Sequence, residues 1–415
     1  MKPLRSVSRT LRSAFLLLPL LAAPAAAQSA APTGVAGEVF AGGELENYLR
    51  VLQVGGKIAL YPWSVRGLSI GEVERLAPRD SVHPWAGRYT LKSPGRGLEV
   101  HLHEPVVGAV FNSAFPYGAN DGAVWAGRGL TTAVQVGVTA RYGPLSLVLA
   151  PVAFSAQNAS FALAPHAPLD TFPAMLDWRH PGEIDLPQRF GEGAYTRVDW
   201  GQSTLRADVG FVTAGVSTAN QVWGPASEYP ILVGINAPGF LHAFLGSARP
   251  VDLWVGKVHG RFVWGRLEQS PYASTSPDSA VRFMSGLVGV FTPRGIPGLE
   301  IGAGRFFQSP WPAGGLTLAH LTKPLETLVK ANLVTNEGEI QESVVADQIA
   351  SVFGRWVFPG SGVEVYGEFA SEDHRHNERD FLLEPDHDAA YALGFRKVFV
   401  RGPEQLWSVR GEILE

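Results

Sequence analysis

Leu98-Glu99-Val100-His101-Leu102-His103-Glu104 alternates apolar and polar side chains at every step. A period of two puts Leu98, Val100 and Leu102 on one face of an extended strand and the polar residues on the other. The pattern returns at 131–142, where Val134, Val136, Val138 and Tyr142 oppose Thr131, Gln135, Thr139 and Arg141. At 362–370, Val363, Val365 and Phe369 oppose Glu364 and Glu368; at 405–414, Trp407, Val409 and Ile413 oppose Ser408, Arg410 and Glu412. Large apolar residues on one side and charges of both signs on the other fit a sheet with one face in lipid and one facing a wet lumen. Further strand candidates are 145–154, 203–210, 211–218, 250–257, 259–268, 281–291, 298–307, 347–357 and 388–400.

The connections sharpen this reading. Gly143-Pro144, Gly210, Pro293-Arg294-Gly295 and Pro359-Gly360-Ser361-Gly362 are tight, whereas 155–200, 219–249, 269–280, 308–346 and 371–387 are long and rich in Pro, Gly and aromatics. Short turns on one end and long loops on the other are the habit of a transmembrane barrel; a sandwich spaces its turns more evenly. Trp254, Trp264, Tyr142, Trp356 and Tyr391 are placed to supply aromatic girdles, although a soluble β-protein would use such residues as core.

The start of the chain agrees. Lys2, Arg5, Arg9 and Arg12 precede the apolar run 14–21 and Ala25-Ala26-Ala27, which reads as a signal peptide over 1–27. Removing those 27 residues from 415 leaves 388, with 30 basic residues against 38 acidic ones, a formal charge of −8. An acidic mature chain excludes a nucleic-acid partner, which needs a basic face. The absence of cysteine excludes disulfides, thiolate metal sites and a lipid-anchor cysteine.

The expected organisation is a flexible stretch at 28–43, a small helical element at 44–90 and a barrel over 91–415. Leu45, Tyr48, Leu49 and Leu52 make a helical stripe, and Ser69-Ile70-Gly71-Glu72 fits a capping box opening a second helix.

Little in the chain points to catalysis. No G-x-S-x-G elbow, P-loop or Rossmann glycine set is present, so no enzyme and no cofactor is expected. His101 and His103 share a strand face but lack a third ligand by spacing, and the acidic, histidine-rich stretch 373–388 lacks an EF-hand pattern; no metal is assigned. The loop patches Asn220-Gln221-Val222-Trp223-Gly224-Pro225 and Asn236-Ala237-Pro238-Gly239-Phe240-Leu241-His242 carry more. Aromatic faces pack on sugar C–H groups while amides and imidazoles bond hydroxyls. Trp223, Tyr229, Asn236, Phe240 and His242 are therefore the candidate polysaccharide contacts, and Arg141, Glu364, Glu368 and Arg410 the candidate lumen lining.

These segments also carry a resemblance. With Tyr61-Pro62-Trp63-Ser64-Val65-Arg66-Gly67, Asn120-Asp121-Gly122-Ala123-Val124-Trp125-Ala126-Gly127-Arg128-Gly129, Gln188-Arg189-Phe190-Gly191 and Ser217-Thr218-Ala219-Asn220-Gln221, the chain resembles the capsule-assembly (Wzi) family of Gram-negative outer-membrane proteins. The resemblance implies an all-β transmembrane barrel of about eighteen strands with a small periplasmic helical bundle. It also implies a lectin-like protein of the cell outer membrane that holds capsular polysaccharide without catalysis; a monomer is expected, with polysaccharide export machinery a candidate partner. Two departures stand out: about thirteen strand candidates, and an end at Gly411–Glu415 inside an alternating strand, which reads as missing C-terminal strands. The alternative on the same fold is a substrate-selective, porin-like channel.

Overall fold

The computed structural model describes residues 38–76, 97–103, 105–161, 190–191, 193–269, 281–326, 346–372, 388–402 and 405–415. The signal peptide, the first part of the flexible stretch, residues 77–90 of the helical element and residues 373–387 lie outside them.

The fold is all-β and antiparallel. Among the described residues eighteen strand segments run from β1 (Leu98–Leu102) to β18 (Leu406–Leu414). Thirteen of them follow one another across a 14-stranded sheet, each pairing with the next; β11 (Val251–Leu253) pairs β12 (Gly256–Glu268) off that path. A 4-stranded sheet, β2-β3-β6-β7, continues the first four runs.

The second half of the wall is regular. From β12 to β18 the strands have 9 to 13 residues, the length that crosses a bilayer when tilted. They pair by continuous register, from Gly256↔Pro293 to Glu268↔Val281 between β12 and β13. The first half is folded along a line. β1 breaks from β2 (Val106–Asn112) at Pro105, and β3 (Gly129–Gln135) from β4 (Val138–Tyr142) at Gly137. β5 (Leu145–Leu149) breaks from β6 (Val152–Ala156) at Pro151, and β7 (Tyr195–Asp199) from β8 (Thr204–Val209) at Gly201. These breaks are neighbours in space. His103 N–H donates to Gly137 O at 2.8 Å, Val136 N–H to Pro151 O at 3.4 Å and Gln202 N–H to Ala150 O at 3.2 Å. A row of such bulges bends and twists a sheet where it stands.

Residue alternation sorts the faces as the sequence indicates. Val365, Leu393, Val352, Trp407 and Ile413 are exposed on the outside, while Glu364, Glu368, Arg355, Arg396 and His259 are buried inside. An outer surface this apolar is stable only against another apolar phase, the hydrocarbon of a bilayer. Tyr142, Trp254, Trp356 and Trp407 stand close to the short turns, forming one aromatic girdle. Trp264 and Tyr391 lie toward the opposite end, and the indole N–H of Trp264 donates to Leu321 O at 2.9 Å.

Both expected helices are present, as α1 (Glu44–Val54) and α2 (Ile70–Leu76). The capping box forms: Ser69 N–H donates to Glu72 Oε2 at 2.8 Å and Glu72 N–H to Ser69 Oγ at 3.3 Å. The stripe residues Tyr48, Leu49 and Leu52 are buried with Trp63, Leu68, Val73 and Leu76. The polar side of α1 is buried too, through Glu46, Arg50 and Gln53. An amphipathic helix on an open surface would leave that side wet; here it faces the inner wall of the sheet.

Candidate functional site

Inside the wall, two segments distant in sequence meet. The stretch after α1 pairs with the loop 218–241 through the bridge Val65↔Trp223. Gly224 N–H donates to Ser64 O at 2.9 Å and Arg66 N–H to Val222 O at 3.2 Å. Trp223 then packs with Val65, Leu232, Phe244, Val263, Met284, Val288, Val290 and Phe353, so the interior at this level is filled by protein. Gly224 sits at φ +91, and a Cβ there would lie 2.5 Å from Glu368 Oε2. Glycine permits both the backbone conformation and the close approach.

Charged pairs fasten this plug to the wall. Arg50 of α1 donates from Nε to Glu364 Oε1 at 2.9 Å, from Nη1 to Ser227 Oγ at 3.0 Å and from Nη2 to Pro225 O at 2.8 Å. Arg355 donates to Glu364 at 2.5 Å and to Gln53 Oε1 at 2.7 Å, and Arg396 lies 3.5 Å from Glu364. Glu300 accepts from Trp63 N–H and from Ser64 Oγ, each at 2.6 Å. Arg66 grips Glu46 at 2.5 and 2.7 Å and donates to Ala226 O at 2.6 Å. Burial pushes the Glu46 carboxyl up, but Arg66 and its hydrogen bonds outweigh that and hold it below the usual carboxylate range. Burial likewise pulls the Arg50 guanidinium down, and Glu364 more than restores it. Charges taken out of water persist only when paired in this way.

A second group joins α2 to β12 and the segment before α1 to β8. Tyr61 Oη donates to Glu72 Oε1 at 2.6 Å, His259 Nε2 lies 3.4 Å from the same oxygen, and Arg206 lies 3.5 Å from Glu38. Burial pushes the Tyr61 hydroxyl up, and Glu72 beside it adds to the effect, so it stays a donor. For Glu72, burial pushes up while His259 and Arg206 pull down further, leaving the carboxyl lowered. At Glu38 burial wins over Arg206 and the carboxyl is raised.

The loop 218–241 is also held from β18. Glu412 accepts the backbone N–H groups of Ser227, Glu228 and Tyr229 at 2.7, 2.9 and 2.7 Å, together with Tyr366 Oη at 2.6 Å. On the long-loop end it meets the 113–128 loop. Asn120 N–H donates to Asn236 Oδ1 at 3.1 Å, Asn120 Nδ2 to Glu228 O at 3.0 Å and Gly122 N–H to Ile235 O at 2.8 Å. Asn220 Nδ2 donates to Ala237 O at 2.8 Å. The stretches beginning at Asn120 and Asn220, a hundred residues apart in the chain, thus form one rim.

The candidate polysaccharide contacts divide between these environments. Tyr229, 49% exposed, and Asn236 lie on the surface. Trp223 is 0% and His242 1% exposed. His242 lies 3.2 Å from Gln221 Nε2 and its ring is 5.0 Å from that of half-buried Phe240. Trp223 and His242 therefore pack the interior and have no face open to a polymer. Of the candidate lumen residues, buried Glu364 is clamped to Arg50, buried Glu368 faces Gly224, and exposed Arg410 pairs with Glu228 at 2.5 Å. Arg141 is half-buried on β4.

The candidate site residues read from the sequence leave out Arg50, Glu46, Arg66, Arg355 and Glu412, which do most of the fastening. They also leave out a hollow of about 280 Å³ beneath the rim, lined by Ala123, Trp125, Phe154, Arg197, Asp199 and Pro238. There Trp125 stacks on Phe190 at 5.1 Å, with the Arg197 guanidinium 4.5 Å from its ring centre. Among the described residues no group of three or more His, Asp or Glu is arranged to hold a metal.

No known family profile and no curated protein matches the chain. Among solved structures it is similar to Wzi of Escherichia coli, an outer-membrane protein involved in group 1 capsule assembly and described as a carbohydrate-binding β-barrel. The TM-score is 0.52 at 16% identity, over 90% of this chain and 71% of that one. OccK10 (OpdN) of Pseudomonas aeruginosa matches at 9% identity and a TM-score of 0.30, over 76% of this chain and 90% of that one. The outer-membrane channel DcaP of Acinetobacter baumannii matches at 10% and 0.28, over 76% and 90%. The chain shares the fold of the first.

Proposed function

We propose that this chain is a divergent capsule-assembly protein of the outer membrane, a non-catalytic barrel that holds exported surface polysaccharide at its long-loop end. The observation that carries the reading is the filled interior. α1, its following segment and the loop 218–241 occupy the lumen and are tied to the wall by Arg50, Arg355 and Glu364. A conducting pore needs that space empty, whereas a binding protein gains a rigid base for its rim. The likeness to a carbohydrate-binding barrel supports the same assignment. Contacts of modest strength at Tyr229, Asn236 and the hollow beside Trp125, repeated along a polymer, give retention through multivalency.

Deletion of the gene should leave polysaccharide synthesis intact and release capsule into the medium, measured as the ratio of cell-bound to free polymer. Normal cell-bound capsule in the deletion strain would remove the assignment. In planar bilayers the purified protein should show no steady single-channel current; a stable open current would favour the channel instead.

A further inference from the structure

The short-turn end carries a feature that the rim does not explain. A cavity of about 460 Å³ opens between the segment 59–62, the end of α2 and the turns beside β12 and β14 (Leu299–Pro310). Its volume falls within the roughly 300–1,000 Å³ of small-ligand sites. Most of its charge is positive. Of the cations, Arg294 is paired with Asp252 at 2.5 Å, and Arg355 with Glu364 at 2.5 Å. Glu300 is occupied by Trp63 and Ser64. That leaves Arg75, Arg249 and Lys257, all exposed at the cavity and without an ion pair among the described residues. Three such cations around one cavity, on a chain of formal charge −4, are a local reversal of sign. Beside them lie apolar surfaces, Leu60, Pro62, Ile296 and Pro297, and the ring of Tyr61, fixed by its bond to Glu72. Apolar and aromatic faces next to cations suit a ligand with C–H faces and an acid group.

We propose that this cavity binds an acidic saccharide unit, its carboxylate held by Arg75, Arg249 and Lys257 and its ring set against Tyr61 and Ile296. The proposal rests on the glycan-binding reading above and gives it a substrate class: a polymer bearing uronate-type charge. Exposed cations contribute little each, so recognition comes from their convergence and weakens with salt.

The test is calorimetry on the full chain in detergent, comparing a uronate-containing oligosaccharide, a neutral one of equal length and inorganic phosphate. The wild type should prefer the acidic ligand by about tenfold, a few-fold per contact, and should lose that preference at high salt. Arg75→Gln, Arg249→Gln and Lys257→Gln together should abolish the preference while leaving binding common to both sugars. Arg75→Lys with Arg249→Lys should keep it, and heat-modifiable gel mobility checks that each variant is folded. A preference that survives the triple change, equal binding of both sugars by the wild type, or phosphate binding as tightly as the oligosaccharide would each overturn the cavity assignment alone. If the wild type binds neither sugar, the glycan reading itself fails.

Discussion

The two halves of the wall solve the same problem differently. β12 to β18 are long and unbroken, with register maintained from one turn to the next. β1 to β8 are segments of 5 to 7 residues, each run interrupted where Pro105, Gly137, Pro151 or Gly201 stands. Proline gives up a ladder donor and glycine allows a bent backbone, so either alone makes only a local fault. Aligned across four neighbours they make a crease that the sheet keeps. The straight half, by contrast, carries the inward charges that grip the plug. One half shapes the lumen and the other holds what fills it.

The sharpest way to break this contrast is at the grip. Glu364→Ala would strand Arg50, Arg355 and Arg396 without their shared anion. Loss of one partner from a buried pair costs about 3–5 kcal/mol, to be read from urea unfolding of the folded barrel, and intermittent current should appear in bilayers. If stability stays within about 1 kcal/mol of wild type, the straight half does not hold the plug.

The crease is tested by a pair of glycines. Gly201 has φ +56 and a Cβ there would sit 2.4 Å from Ala150 O, whereas a Cβ at Gly289 in β13 (Val281–Pro293) meets nothing nearer than 3.9 Å. Gly201→Val should cost about 2–3 kcal/mol through backbone strain and the clash; Gly289→Ala should stay within about 1 kcal/mol. Equal effects would mean that the crease is not a strained, specified feature.

The mildest test is pH. The Glu46 carboxyl is held below its ordinary value of 4.5 by Arg66 against the opposing effect of burial. Its contribution is therefore complete above that ordinary value and is lost as pH falls through the lowered one. The unfolding midpoint should drop on acidification below about pH 4.5, and Glu46→Gln should flatten that acid limb while lowering stability at neutral pH. An unchanged acid limb in the variant would place the sensitivity elsewhere.

Much of the wall was legible because one face touches hydrocarbon. Val363, Val365 and Phe369 against Glu364 and Glu368 left no other register open, and the tight turns at Gly143, Gly210 and Gly362 were equally plain. The crease hid strands instead. β2, Val106–Asn112, follows Pro105 as an almost continuous apolar run, and β7 and β10 (His242–Ser247) are only 5 and 6 residues inside long connections. Side-chain chemistry put Trp223 and His242 on an outer loop, since a loop that folds inward has the same composition as one that reaches out. Arg50 stands on the helical face away from the apolar stripe, where nothing local marks it for burial. Its partner at position 364 lies more than three hundred residues away, and no local spacing could join them.

The interlock has a consequence for how the molecule is assembled. Arg50 is seized at once by the wall at Glu364 and by the loop at Pro225 and Ser227, while that loop hangs on Glu412 of β18. Such a stopper cannot be slid in after the hoop is finished. The helix that carries Arg50 must wait inside the nascent wall while β16 to β18 zip around it, so the insertion apparatus has to keep segments more than three hundred residues apart together as a single cargo.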